Sequence, residues 1–234
     1  MPEGTLRTLE KIRAMILHSH VVYPGELHGT VHIDANAIYP HARETSRLCR
    51  RVAEQFINDE IEVVVAPAIG GAIISQWIAY HLSELGSREV LSVYAEKEKK
   101  SPLSWWKQSL SWLLKQILRS KKKEERPFTI KHGYNQFVTG KNVLVVGTVV
   151  PAGDPTMKKV VDAVRAIEGN VVGLGILCNL GGITPQYSAS VPKFFALVDA
   201  NPLLWDELTC PFCQRDVPLS AIMGEEHPLP HITK

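Results

Sequence analysis

The feature that most limits how this chain can fold is a series of short, almost unbroken apolar runs separated by amphipathic stretches. Ile61–Ala66, Val90–Tyr94, Asn142–Val146, Val171–Leu177 and Phe194–Val198 are the runs. A strand with one wet face alternates polar and apolar residues, so runs of this kind belong to strands buried on both faces. Between them, apolar residues recur at helical spacing. Leu48, Val52, Phe56 and Ile57 share one side of Ala42–Asn58, and Met157, Val160, Val161, Val164 and Ile167 share another. A further helix is expected from Gly70-Gly71 to about Leu85, and Phe128–Ile130 is one more candidate strand. This alternation predicts an α/β domain: a central parallel sheet of about five strands with helices on both faces.

At 234 residues the chain suits a single domain over 1–234. Leu6, Leu9, Ile12, Ile16 and Leu17 predict an amphipathic first helix. Residues 18–40, rich in Gly, His and β-branched types, predict short strands and turns forming a small hood subdomain with the C-terminal tail. Twenty-six basic against 24 acidic side chains leave a formal charge of +2, which sets up no field for nucleic acid. Four cysteines, and a start that reads as an amphipathic helix without a long apolar core, lead us to expect a reducing cytoplasm. There is no uncharged apolar run of the ~20 residues that a membrane span needs.

One segment interrupts the pattern. Residues 99–126 hold Trp105, Trp106 and Trp112 among leucines, followed by Arg119-Ser-Lys-Lys-Lys-Glu-Glu-Arg126. An amphipathic helix over 101–123 lying on an anionic membrane surface would have such tryptophans and basic flanks. A helical hairpin packed on the domain or on a second subunit is the commoner use of an aromatic stripe.

Parallel sheets bind ligands in loops at the carboxyl ends of their strands, which directs attention to residues 66–72 and 147–156. In the first loop, Gly70 and Gly71 permit close backbone approach to an anion, and amides opening a helix can donate to it. A plain strand-to-helix turn would also use glycine there.

The run EVVVAPAIGGAIISQWIAYHL resembles the diphosphate-binding loop and following helix of orotate phosphoribosyltransferases. KNVLVVGTVVPAGDPTMKKVVDAVRAIEGNVVGLGILCN is similar to their strand, acidic pair, phosphate loop, helix and strand. HIDANAIYPHARETSRLCRRVAEQF looks like their hood and first core helix, and CPFCQRDVPL like a tail found in some members. The resemblance implies a type I phosphoribosyltransferase fold. It also implies substitution at C1 of 5-phosphoribosyl 1-diphosphate (PRPP), through an oxocarbenium-like state, by orotate or a related pyrimidine base. Diphosphate would leave as its Mg²⁺ complex, and a homodimer is expected. Carried over by position, Gly70 and Gly71 meet the diphosphate, and Lys97 and Lys100 assist its departure. Thr148, Gly153, Asp154 and Thr156 surround the ribose phosphate, and Lys131 is a substrate-binding candidate that partly replaces a family arginine.

The same alignment exposes departures. Gly147-Thr148 stands where the family carries two adjacent acids, and Pro151-Ala152-Gly153-Asp154-Pro155-Thr156 replaces its Thr- and Gly-rich turn. Asp154-Pro155 reads as a helix start, with Asp as N-cap and Pro at the first helical position. Such a carboxylate takes up amides that a 5′-phosphate requires. Glu96, His132 and Leu180 stand where arginines are usual, and Tyr23 and Ala35 where lysines are frequent. A second expectation therefore stands beside transfer: a non-catalytic phosphoribosyltransferase-fold module that binds a nucleotide, a partner or a membrane. Finally, Cys210-Pro-Phe-Cys213 and His227-Pro-Leu-Pro-His231 have the spacing of a Cys₂His₂ zinc set, or of two reduced thiols in a packed loop. Cys49 and Cys178 fall within apolar patterns and are expected in the core.

Overall fold

In the computed structural model, which describes residues 3–98 and 126–222, the apolar runs pair side by side. The strands β3 (Val63–Pro67), β4 (Leu91–Lys97), β6 (Asn142–Pro151), β7 (Asn170–Leu180) and β8 (Phe194–Asp199) form the parallel part of a six-stranded sheet. β5 (Phe128–Ile130) closes one edge antiparallel to β4, so the order is β5-β4-β3-β6-β7-β8. Side chains alternate between two cores. Val64, Ala66, Leu144 and Val146 face α3 (Ala42–Gln55) and α4 (Gly70–Gly86). Val63, Val65, Val143 and Val145 face the helix α6 (Thr156–Ala166). On α6 the residues Met157, Val160, Val161 and Val164 are buried, each worth roughly 1.5–3 kcal/mol of apolar transfer. Cys49 and Cys178 lie in the core as reduced thiols.

A second, four-stranded sheet has the order β10-β1-β2-β9. It consists of the hairpin β1 (Met15–Tyr23) and β2 (Leu27–Ile33), with β9 (Leu204–Trp205) and β10 (Ala221–Ile222) added from the tail. The short helix α2 (Ala35–Ile38) follows β2, α5 (Asn135–Val138) follows β5, and α7 (Pro185–Ser188) precedes β8.

Two expectations are corrected here. The first helix, α1 (Glu3–Lys11), stops before Ile16 and Leu17, which belong to β1. The Ala14 amide donates to Leu9 O at 2.9 Å and Arg13 takes φ 55°, a left-handed helix ending made without the usual glycine. The second is β6, which does not stop at Val146. Val149, Val150 and Pro151 continue to pair with Cys178, Asn179 and Leu180 of β7, so 147–151 is strand and only 152–155 is loop. No helix among the described residues is long and apolar enough to cross a membrane. The Trp- and Lys-rich segment 99–125 lies outside the described residues.

Candidate functional site

A cavity of about 260 Å³ opens at the carboxyl ends of β3 and β6, where the two expected ligand loops meet. Pro67, Gly70 and Gly71 line it from the first loop, and Thr148, Asp154 and Thr156 from the second. Ala35 and Tyr39 reach it from the small-sheet side and Lys97 from the end of β4. The volume is near the roughly 300 Å³ lower bound for sites that enclose a drug-sized ligand. It suits one phosphorylated sugar better than a sugar and a base together.

Tyr39 sets that limit. Its ring lies against Gly70 so closely that a Cβ there would overlap the phenol oxygen. Its hydroxyl hydrogen-bonds Thr148 Oγ1 at 2.9 Å, joining the two loops across the cavity. Burial raises the phenol pKa, so the group stays a neutral donor and acceptor. Gly71 is needed for another reason: a Cβ would come within 3.0 Å of Ala66 Cβ and 3.2 Å of Pro67 Cδ, where α4 approaches β3. Packing thus accounts for both glycines. Nevertheless α4, 17 residues long, has no side-chain cap at Ile69, so its opening amides remain free of a competing carboxylate.

The second loop has its donors engaged internally. The Ala152 amide donates to Leu180 O at 2.9 Å and the Asp154 amide to Pro151 O at 3.1 Å. The Thr156 amide donates to Asp154 Oδ1 at 2.8 Å. Pro155 is the N-cap of α6, one residue later than expected, because Asp154 folds into a side-chain turn onto Thr156 instead of capping. Gly153 takes φ +78° and approaches Pro24 of the β1–β2 turn; a Cβ on it would lie 3.0 Å from Pro24 O. The missing first acid also has a steric counterpart. A Cβ at Gly147 would meet Met157 Sδ at 2.7 Å and Ile176 Cδ1 at 3.1 Å, so Met157 fills the volume a larger residue would need.

Among the described lining residues Lys97 is the one cation and Asp154 the one anion. Lys97 is exposed, with Nζ 5.8 Å from the Phe128 ring centre. Lys100 lies outside the described residues. Lys131 is not among the lining residues; its Nζ is 3.6 Å from Glu96 Oε2, and His132 Nε2 is 3.7 Å from Glu96 Oε1. The acid at 96 and the histidine at 132, both at family arginine positions, therefore answer each other at the sheet edge. Leu180 and Tyr23 are core residues, the latter with its hydroxyl donating to Val31 O at 2.6 Å. The lining does not fit a protein-held Mg²⁺. Its single carboxylate already accepts an amide, whereas Mg²⁺ asks for octahedral oxygen ligation.

The tail cysteines lie elsewhere. Cys210 and Cys213 face His20 and His28 of the β1–β2 hairpin, and His227 and His231 lie outside the described residues. Sequence reading missed Tyr39 and Met157 as cavity residues and His20 as a neighbour of the cysteines. Tyr39 and Met157 fall within the family-like segments but at no position read there as a ligand contact, and the fold alone brings all three into place.

No protein-family model matches the chain. It is 25% identical over 217 residues to the orotate phosphoribosyltransferase of Thermoanaerobacter sp. (strain X514), covering 93% of this chain and 94% of that one. Against the orotate phosphoribosyltransferase of Pelotomaculum thermopropionicum it is 26% identical over 209 residues, covering 89% and 90%. The solved orotate phosphoribosyltransferase of Aeropyrum pernix superposes with a TM-score of 0.56 at 17% identity, over 82% of this chain and 92% of that one. The chain has the type I phosphoribosyltransferase fold, and its likeness in sequence is to orotate phosphoribosyltransferases along most of its length.

Proposed function

We propose that this chain transfers the phosphoribosyl group of PRPP to orotate or a related pyrimidine base, at a rate well below that of an enzyme with the full acidic pair. The observation that carries the reading is the cavity itself: one pocket, at the carboxyl ends of β3 and β6, lined by both ligand loops in the order the fold uses. In this reading the uncapped start of α4 receives the diphosphate through the amides at Gly70 and Gly71, and Lys97 neutralises the leaving group. Thr156 and the start of α6 meet the 5′-phosphate, Gly153 shaping the turn beside them against Pro24, and Thr148 offers a single hydroxyl to the ribose once Tyr39 turns away. Losing one preorganised electrostatic contact commonly costs ~10²–10³ in kcat, so the absence of two carboxylates sets the low rate.

A second reading is favoured by a specific pair of contacts. Thr148 is already bonded to Tyr39, and the Thr156 amide to Asp154, as in a pocket that holds a nucleotide without turning it over. Calorimetric titration with PRPP and Mg²⁺, followed by an assay of diphosphate release with orotate, separates the two. Binding with orotate-dependent release supports transfer. Binding without release leaves the ligand-holding module, and no binding at millimolar PRPP overturns transfer.

A further inference from the structure

Two parts of the molecule far apart in sequence bring four metal-ligating side chains together. His28 stands opposite Val22 in the β1–β2 register, and His20, within the register shift between Leu17 and Val21, brings its Nε2 to 2.8 Å from His28 Nδ1. Cys210 caps the 3₁₀ turn Glu207–Thr209, and Cys213 opens the next, Cys213–Arg215. Backbone bonds from Gln214 N to Cys210 O (3.1 Å) and from Val217 N to Phe212 O (3.0 Å) hold this tail segment in shape. The four ligand atoms lie within 4.8 Å of one another.

Their spacing matches a tetrahedron. With Zn–S of about 2.3 Å and Zn–N of about 2.05 Å, the edges of a tetrahedral site are about 3.6 Å for S–N and about 3.3 Å for N–N. Cys210 Sγ and Cys213 Sγ are each 3.6 Å from His20 Nε2, and Cys213 Sγ is 3.3 Å from His28 Nδ1. Two separations fall short of these edges, Cys213 Sγ–His28 Nδ1 and His20 Nε2–His28 Nδ1 at 2.8 Å, and the two histidines share a proton when no ion is bound. The opposite nitrogen of His20 is already fixed. Its Nδ1 is 2.8 Å from Val217 O, and since a carbonyl can only accept, Nδ1 carries the proton and Nε2 turns its lone pair inward. A bonded outer partner of this kind is what metal-ligating histidines use to hold their tautomer.

Burial and charge point the same way. His20, His28 and Cys210 are buried, and Phe212 stacks on His20 at 5.4 Å between ring centres. A hydrogen-bonded packing cluster would satisfy this set poorly, because thiols are weak partners and two neutral imidazoles share a single proton. Two thiolates and two neutral imidazoles around a dication give a site of zero net charge, which limits the cost of its burial. Soft sulfur with imidazole in tetrahedral array selects zinc over magnesium or calcium.

We propose that His20, His28, Cys210 and Cys213 form a structural zinc site that fastens the C-terminal segment to the β1–β2 hairpin. All four positions are protein ligands, so the ion has no open place for substrate. The site reinforces strand pairing that already joins the same parts, Val21 with Ala221 and His28 with Trp205. It stiffens the hairpin whose turn, at Pro24, abuts Gly153 of the cavity loop. The proposal is independent of phosphoribosyl transfer.

The test uses the full chain purified without chelator. Elemental analysis is expected to give one zinc ion per chain, released when a mercurial reagent titrates the thiols. The His227→Ala/His231→Ala double variant should keep the metal, and Cys210→Ser and His28→Gln should lose it. Because those single variants can fail to fold, cobalt is substituted into the unaltered protein. Intense visible bands of a tetrahedral ion together with sulfur-to-cobalt charge transfer are expected. Removing zinc under reducing conditions should lower the melting temperature, and zinc alone should restore it. Loss of metal in the double histidine variant would move the site to the tail. A weak six-coordinate cobalt spectrum, or protein that neither contains zinc nor is stabilised by it, would overturn the site altogether.

Discussion

Replacing Asp154 by asparagine should tighten the binding of phosphorylated ligands. Asp154 Oδ1 accepts from the Thr156 amide at 2.8 Å, at the start of the helix whose opening amides a phosphate would seek. An anion bound to the neighbouring amides of that turn comes within about 5 Å of the carboxylate. At an effective dielectric near 20, two unit charges at that distance repel by roughly 3 kcal/mol. A Debye length of about 8 Å at physiological salt reduces this to about 1.5–2 kcal/mol, a tenfold to thirtyfold change in affinity. Asn keeps the acceptor oxygen and serves such a turn as well as Asp, so stability should stay within about 0.5 kcal/mol. Calorimetric titration of both proteins with inorganic phosphate and with PRPP reads the difference. Its electrostatic origin requires the ratio to shrink as salt is raised. Equal affinities would show that the carboxylate lies outside the ligand's field, and weaker binding by Asp154→Asn would show that it holds something the ligand brings. Either result would refute the reasoning.

Tyr39→Phe removes the 2.9 Å bond to Thr148 and should cost about 1 kcal/mol of stability while freeing the Thr148 hydroxyl for a ribose; urea denaturation and ligand titration read the two effects. Gly147→Glu alone should destabilise by about 1–3 kcal/mol, because its Cβ meets Met157 Sδ at 2.7 Å. Coupling it to Met157→Val should recover much of that loss in thermal melts, and equal melting temperatures for the two forms would contradict it. His81, bonded to Ser46 at 2.9 Å, has its pKa lowered by burial. The neutral imidazole is thus the folded form, and its contribution is complete above the ordinary value of 6.5 and declines as pH falls through the lowered one. Compared with His81→Gln, the unaltered chain should therefore lose more of its urea midpoint over that acidic range.

The central sheet was legible because burial on both faces leaves a direct mark in sequence: Val63–Ala66 and Val143–Val146 are apolar at every position. What escaped was decided by contacts between distant residues. β6 runs on to Pro151 because Val149 and Val150 find partners in β7, and α1 ends at a left-handed Arg13 where no glycine announces a stop. The cavity's position followed from the rule for parallel sheets, but its contents did not. Tyr39 lies in the hood-like segment without being read as a contact residue, and only the fold brings it to Gly70 and Thr148. The cysteine pair was visible as a possible ligand set from its spacing alone. Its neighbours His20 and His28, about 190 residues earlier, were not, because strand register and not sequence interval brings them there.

The departures from the phosphoribosyltransferase pattern gain meaning when each is set beside its neighbour. Gly147 sits under Met157, Thr148 is bonded to Tyr39, Asp154 holds the Thr156 amide, and Glu96 faces Lys131 and His132. At 147 the space a side chain would need is filled, and at 148, 154 and 96 the polar group is bonded or paired within the protein. A pocket whose polar groups were merely lost would leave unpaired donors around a void, and unpaired buried donors cost about 1–3 kcal/mol each. Among the described residues the buried side-chain atoms without a partner are Thr129 Oγ1 and Tyr187 OH, and neither residue lines the cavity. The polar side chains of the second loop are therefore engaged while the opening amides of α4 stay free, and an incoming ligand must displace contacts at one loop as well as make them at the other. Reverting one position then orphans or crowds its neighbour, so a gain of affinity or rate requires changing the partners together: 147 with 157, 148 with 39, and 154 with the amide it holds.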